Sequence, residues 1–306
     1  MAWSGSGFVF RFSGTQASVR MDDRGAFWTV VVDGQVKPRL STTAGEKSYQ
    51  VASGLSAGQH DVEMYRRTEA HLGETRFVAV ELGGGTLLPP PPAPTRRIEV
   101  IGDSITCGYG NEGADQSCPF TPDTENHYLT YAAIAARNLQ AELFTVAWSG
   151  KGVIFNYGTD KVDPLPALYD RALPQDSSSV WDFSKWQPDV VVINLGTNDF
   201  STDGDPTEAE FSNAYRAFLQ HLRQKYPNAW IVCLAPTLLG GTDLTTAESY
   251  ITRVVNALTT AGDTKLLVHA LQFQQTGAGC DYHPSLATHA SMGQALTTKL
   301  KSVLGW

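Results

Sequence analysis

The sequence predicts two domains of different class: an all-β sandwich or jelly roll, then a three-layer α/β/α domain built on a parallel five-stranded sheet. Three observations predict this. The chain has 306 residues, more than one domain usually holds and comfortable for two. A segment rich in glycine and proline interrupts it, Gly83-Gly84-Gly85 and then Pro89-Pro90-Pro91-Pro92-Ala93-Pro94. Short β-like runs precede that segment, and apolar strands alternating with helical stretches follow it.

The first domain is expected over residues 1–88. Its strands are read at Phe8–Phe12, Ala26–Val32, Tyr49–Ala52, His60–Arg66 and Arg76–Leu82. These runs are aromatic or β-branched, and Gly, Ser and Asp punctuate them, as in a sandwich or jelly roll. Asp33-Gly34 is a turn signal. One helical turn is expected, near Thr68 to Leu72.

Residues 89–97 are read as a linker. Proline cannot donate to a sheet ladder, so no central strand crosses it. The second domain is expected over 98–306, with strands at Arg97–Gly102, Ala141–Ala147, Asp189–Leu195, Ala229–Leu234 and Thr264–Ala270. Helix-period segments separate or follow them: Asn126–Gln140, Thr207–Tyr226, Thr246–Ala261 and Leu286–Leu304. This alternation predicts a parallel sheet covered on both faces. Ligands of such sheets sit at the carboxyl ends of the strands.

Composition narrows the partners. A net charge of -8 disfavours a phosphate backbone, so nucleic acid is not expected as a partner, whereas a neutral sugar polymer meets no such penalty. The chain has no apolar run of about 18 residues, so no membrane partner is expected. The four cysteines have no zinc-ligand spacing, and neither a phosphate loop nor a dinucleotide fingerprint occurs, so no metal or cofactor is required. Cys107 and Cys118 flank a short polar loop and either bridge it or remain thiols; Cys233 lies in an apolar strand and reads as buried.

The strand ends carry the chemistry. The first ends in Gly102-Asp103-Ser104, which projects a serine from a tight turn. The second ends in Trp148-Ser149-Gly150, whose glycine is either an ordinary loop residue or one that leaves its N–H near a substrate. The third ends in Gly196-Thr197-Asn198-Asp199, offering a side-chain amide as oxyanion donor and a loop-holding aspartate. A serine nucleophile needs a base. His283, on the loop Gly279-Cys280-Asp281-Tyr282-His283-Pro284, is better placed for that than His127 or His289, which fall in helical stretches. Position 106 is threonine, so the G-x-S-x-G elbow of the α/β-hydrolases is absent.

Ser104, Gly150, Asn198 and His283 match in chain order the four blocks of the SGNH (GDSL) hydrolases, which the chain resembles. Ile101-Gly102-Asp103-Ser104-Ile105-Thr106-Cys107-Gly108-Tyr109-Gly110 is similar to the version in carbohydrate esterase family 2. Trp3-Ser4-Gly5-Ser6, Arg11-Phe12-Ser13-Gly14-Thr15 and Arg67-Thr68-Glu69-Ala70 resemble that family's N-terminal half, so the likeness covers essentially the whole chain. It implies a jelly roll joined to an SGNH domain, and a serine acetylesterase of the acetyl xylan esterase type. Ser104 would be nucleophile and His283 base, with an oxyanion hole of Ser104 and Gly150 amides and the Asn198 side chain. The superfamily pattern sets an aspartate three residues before the histidine; here that position is Cys280. Asp281, two before, is the expected third member, with a backbone carbonyl as the alternative.

The resemblance also implies the substrate: acetylated xylan, glucomannan or related sugars, as polysaccharide or oligosaccharide. Tyr109, Trp148, Tyr157 and Tyr282 lie on loops where rings can stack on sugars, Trp181 and Trp186 lie just before the third strand, and Trp186 is expected to pack. A polymer lies outside the cell, so secretion is expected, with its signal absent from this sequence. Two rival readings are a lipase or thioesterase on the same fold, and a carbohydrate-binding protein with an inactive hydrolase domain.

Overall fold

A computed structural model describes residues 1–306. The chain divides into two compact units, Met1–Ala93 and Pro94–Trp306, and the division falls inside the proline segment.

The first unit is antiparallel. Its strands are β1 (Gly7–Gly14), β2 (Ala17–Asp23), β3 (Phe27–Val32), β4 (Gln35–Val36), β5 (Leu40–Ser41), β6 (Gly45–Ala52), β7 (Gly58–Arg66), β8 (Arg76–Glu81) and β9 (Thr86–Leu88). One sheet runs β4-β3-β7-β1-β9, with β5 also paired to β3; the other runs β6-β2-β8. Side chains alternate across each strand, so β7 buries His60, Val62, Met64 and Arg66 and half-exposes the residues between them. Phe12, Val19, Met21, Trp28, Val62 and Met64 fill the core between the sheets. The β3–β4 hairpin turns on Asp33 (φ 50°) and Gly34 (φ 75°), two left-handed residues whose twist suits a two-residue loop. Strand β2 escaped the sequence reading: it buries only Ala17, Val19, Met21 and Asp23, with few β-branched or aromatic side chains to announce it. The helical turn is a 3₁₀ turn at Ala70–Leu72.

The second unit has the strands β10 (Arg96–Gly102), β11 (Ala141–Ala147), β12 (Val190–Asn194), β13 (Trp230–Leu234) and β14 (Leu266–His269). All neighbours are parallel, in the order β11-β10-β12-β13-β14. Because β10 starts at Arg96, the expected linker overran it by two residues. The helices are α1 (Ser104–Cys107), α2 (Tyr131–Leu139), α3 (Leu165–Leu168), α4 (Thr197–Phe200), α5 (Glu208–Lys225), α6 (Gly241–Thr260) and α7 (Leu286–Leu304). Helix α5 opens with a reciprocal capping box between Thr207 and Glu210.

Every residue of β12 is buried, as a strand covered on both faces requires. On one face Ile98, Val100, Val192 and Val232 meet Tyr131 and Leu139 of α2 and Met292 and Leu296 of α7. On the other, Glu99 meets Tyr169 and Tyr226, which follow α3 and α5. The strand order reverses direction between β10 and β12, and a crevice opens at such a switch point.

Candidate active site

Ser104 and Asn198 follow the two strands that flank this switch point. Asp103 caps the serine turn by accepting from the Ile105 amide at 3.0 Å. Gly102 is required by crowding, since a Cβ there would stand 2.0 Å from Thr106 Oγ1. Thr106 Oγ1 in turn lies 2.9 Å from the Tyr131 hydroxyl, and the Tyr131 amide donates to His289 Nδ1. The turn is thereby anchored to α2 and α7. Only 7% of the Ser104 surface is exposed.

His283 Nε2 lies 2.8 Å from Ser104 Oγ, although 179 residues separate the two in sequence. Its Nδ1 lies 3.0 Å from the main-chain carbonyl of Asp281. A carbonyl only accepts, so Nδ1 carries the ring proton and Nε2 is left to accept from the serine hydroxyl. The Asp281 carboxylate is not the group that meets the ring, and this corrects the expected third member. Residue 281 is left-handed (φ 50°, ψ 41°), which turns its carbonyl toward His283. Its carboxylate accepts from the Tyr109 hydroxyl (2.9 Å) and the Phe120 amide (3.1 Å).

Gly150 takes φ 78° after β11, and its carbonyl accepts from the Tyr157 amide at 2.8 Å. Asn198 Nδ2 donates to the Lys151 carbonyl at 2.9 Å. Asp199 holds the same loop: its carboxylate accepts from the amides of Val153, Ile154 and Phe155 at 2.8–2.9 Å. Burial raises the Asp199 carboxyl above its ordinary range, and the three N–H groups pull the other way. The Ser104 amide, the Gly150 amide and the Asn198 side chain thus stand on three neighbouring parallel strands' ends. Such a set is chemically able to receive an oxyanion beside an activated serine.

The disulfide is Cys118–Cys280, which answers the question the sequence left open: Cys107 and Cys118 are not paired with each other, and Cys107 and Cys233 are buried thiols. The tertiary fold brings Cys280 to the loop that carries Cys118, whereas Cys107 is the last residue of α1. Burial pushes His127 and His289 down to about 3, which keeps both neutral as structural side chains. Tyr109 stacks on Phe120, with centroids 3.9 Å apart, and lies 4.3 Å from the His283 ring. Tyr282 and Tyr157 are each 66% exposed and Trp148 is half-buried. Trp186 is buried flat against Phe144, with Trp181 tilted on the same ring. The Lys151 carbonyl and the Phe120 amide escaped the sequence reading, because main-chain groups carry no residue-type signal.

Residues 1–92 match the family described as Carbohydrate esterase 2 N-terminal, and residues 100–290 match the GDSL-like Lipase/Acylhydrolase family. Over its whole length the chain is 46% identical to the Cellulase/esterase CelE of Acetivibrio thermocellus and spans 38% of that longer protein. It is 30% identical to an Acetylxylan esterase / glucomannan deacetylase of Cellvibrio japonicus, covering 95% of this chain and 80% of the relative. A family two carbohydrate esterase from Clostridium thermocellum, solved in complex with cellohexaose, superposes with a TM-score of 0.96 at 44% identity, covering all of this chain and 94% of that one. A family two carbohydrate esterase from Cellvibrio japonicus superposes with a TM-score of 0.91 at 26% identity, over 100% and 91% of the two chains. The chain belongs to the GDSL-like acylhydrolases, among the family 2 carbohydrate esterases.

Proposed function

We propose that this protein is a serine esterase that removes O-acetyl groups from xylan, glucomannan or related sugars. The observation that carries the reading is the 2.8 Å contact between Ser104 Oγ and His283 Nε2, with Nδ1 held by a carbonyl. Ser104 Oγ attacks the acetyl carbonyl carbon while Nε2 takes the hydroxyl proton. The tetrahedral oxyanion is received by the amides of Ser104 and Gly150 and by Asn198 Nδ2. Collapse breaks the bond to the sugar oxygen, which takes the proton from Nε2 and leaves as the free hydroxyl, and acetyl-Ser104 remains. Water then loses a proton to Nε2 and attacks the acyl carbon, releasing acetate and restoring the serine.

Acetylated polysaccharide or oligosaccharide is the substrate in this reading. Its support is the naming of a relative as an acetylxylan esterase / glucomannan deacetylase, and the cellohexaose complex of another. Exposed Tyr282, next to His283 in the chain, half-buried Tyr109, whose ring lies 4.3 Å from that of His283, and half-buried Trp148, whose amide donates to the Gly102 carbonyl, are the proposed sugar contacts. A polymer of this kind lies outside the cell, so the protein is proposed to be secreted.

Acetate release from acetylated xylan and glucomannan, wild type beside S104A, tests the reading. Release by the wild type with a loss of at least about 1000-fold in the variant is the expected result. Equal release by both overturns the role of Ser104. Polysaccharide binding without release favours the inactive binding protein, and a preference for long acyl chains favours the lipase or thioesterase.

A further inference from the structure

We propose that the Asp281 carboxylate and Tyr109 are positioning groups for His283, acting through the backbone carbonyl of residue 281; this rests on the esterase reading above. A neutral carbonyl steers an imidazole only if it is itself held still. Residue 281 is held in a left-handed conformation, which aspartate tolerates better than most side chains but which still needs support.

The support comes from one loop. The Asp281 amide donates to the Cys118 carbonyl at 3.1 Å. Its carboxylate Oδ2 accepts from both Tyr109 Oη and Phe120 N. The Cys118–Cys280 disulfide ties the preceding residue to the same loop. What remains of residue 281 is the carbonyl, and it meets His283 Nδ1.

Tyr109 makes a second connection. Its ring packs against both Phe120 and the imidazole of His283. Its amide donates to the Ser104 carbonyl at 3.1 Å, across the left-handed Gly108 that ends α1. One tyrosine therefore touches the nucleophile's turn, the ring of the base and the side chain that aims the base. The conventional superfamily arrangement uses a carboxylate on Nδ1; here the carboxylate lies one step further out and works by geometry.

Charge and position are separable by substitution. Asparagine keeps an oxygen for both donors and tolerates the left-handed region, but removes the charge; alanine removes the acceptor. The test compares D281A, D281N and Y109F with wild type in the full chain, at a temperature below the melting transition of each. D281A is expected to lower kcat about 100-fold on an acetyl ester with KM little changed, the scale of a misplaced catalytic group. D281N is expected to recover most of that loss and to keep the wild-type midpoint of the acid limb of kcat/KM. Y109F is expected to fall between them. The Nδ1 proton resonance of His283 in substrate-free protein needs no turnover: it is expected to broaden in D281A and to sharpen again in D281N. A wild-type kcat and an unchanged resonance in D281A overturn the proposal. So does a D281N as impaired as D281A, which assigns a charge role. A wild type without esterase activity sinks the reading it rests on, and the resonance alone then decides the positioning.

Discussion

Asn198 donates from Nδ2 to the main-chain carbonyl of Lys151, the residue after Gly150. That bond fixes the plane of the amide and joins two strands' ends. An amide nitrogen carries two hydrogens, so one remains for the oxyanion in the proposed mechanism.

Removing this amide should therefore act on the transition state. N198A is expected to lower kcat about 100- to 1000-fold with KM changed only a few-fold. Steady-state kinetics on an acetyl ester checks it, and a change confined to KM would count against an oxyanion role.

Asp199 is expected to affect both stability and rate. In D199A the amides of Val153, Ile154 and Phe155 lose their acceptor. A buried unpaired donor costs about 1–3 kcal/mol, so urea unfolding should show a loss of at least about 3 kcal/mol. The loop also carries Gly150, so kcat should fall in whatever folded protein remains. Gly152 adds to the constraint, because a Cβ there would meet the Phe155 carbonyl oxygen at 2.0 Å and Asp199 Oδ2 at 2.5 Å.

Thiol chemistry gives a direct check on the loop that holds the base. Alkylation of the denatured, unreduced protein should modify Cys107 and Cys233 and leave Cys118 linked to Cys280 in the peptide map. Losing the bridge should cost about 2–5 kcal/mol of stability, since it closes a long segment of chain. A mapped Cys107–Cys118 link would contradict the loop geometry on which His283 depends.

Glu99 predicts a pH dependence of stability. Its carboxylate lies in the sheet core against Tyr169 Oη (2.6 Å) and Tyr226 Oη (2.5 Å), and burial pushes it up to about 7. A folded-state value raised above the unfolded one gives stability that is complete below the unfolded value and lost as pH rises through the folded one. Between about pH 4.5 and pH 7 that loss amounts to about 3 kcal/mol. His127 and His289, buried and neutral, work in the opposite direction as pH falls. The measurement is accordingly the difference between E99Q and wild type: the variant's relative stability should climb across that window. A flat difference would falsify the assignment.

The strands and long helices of the second unit were legible because burial on both faces, or on one stripe, leaves a periodic trace. Val190 to Asn194 reads as an unbroken buried strand, and the helical stretch expected from Thr207 is α5, Glu208–Lys225. Helix α6 begins at Gly241, five residues before the expected Thr246, because the polar turn ahead of its apolar stripe carries no periodic signal. Ser104, Gly150, Asn198 and His283 were legible as residue types at the ends of apolar runs. Their chemistry depends on side chains, or on a glycine's lack of one.

Other features were decided by the tertiary structure alone. Which group of Asp281 faces His283 turns on one backbone conformation, and the left-handed φ of 50° reverses what the side chain and the carbonyl each see. Which cysteine pairs with Cys118 depends on a loop closed across 162 residues. By itself the sequence determined the two domain classes and the nucleophile, the base and the oxyanion donors as candidates, because apolar periodicity and side-chain chemistry are local. The aim of the base and the bridge that supports it came only from the fold, because main-chain carbonyls are identical at every position until the chain is folded around them.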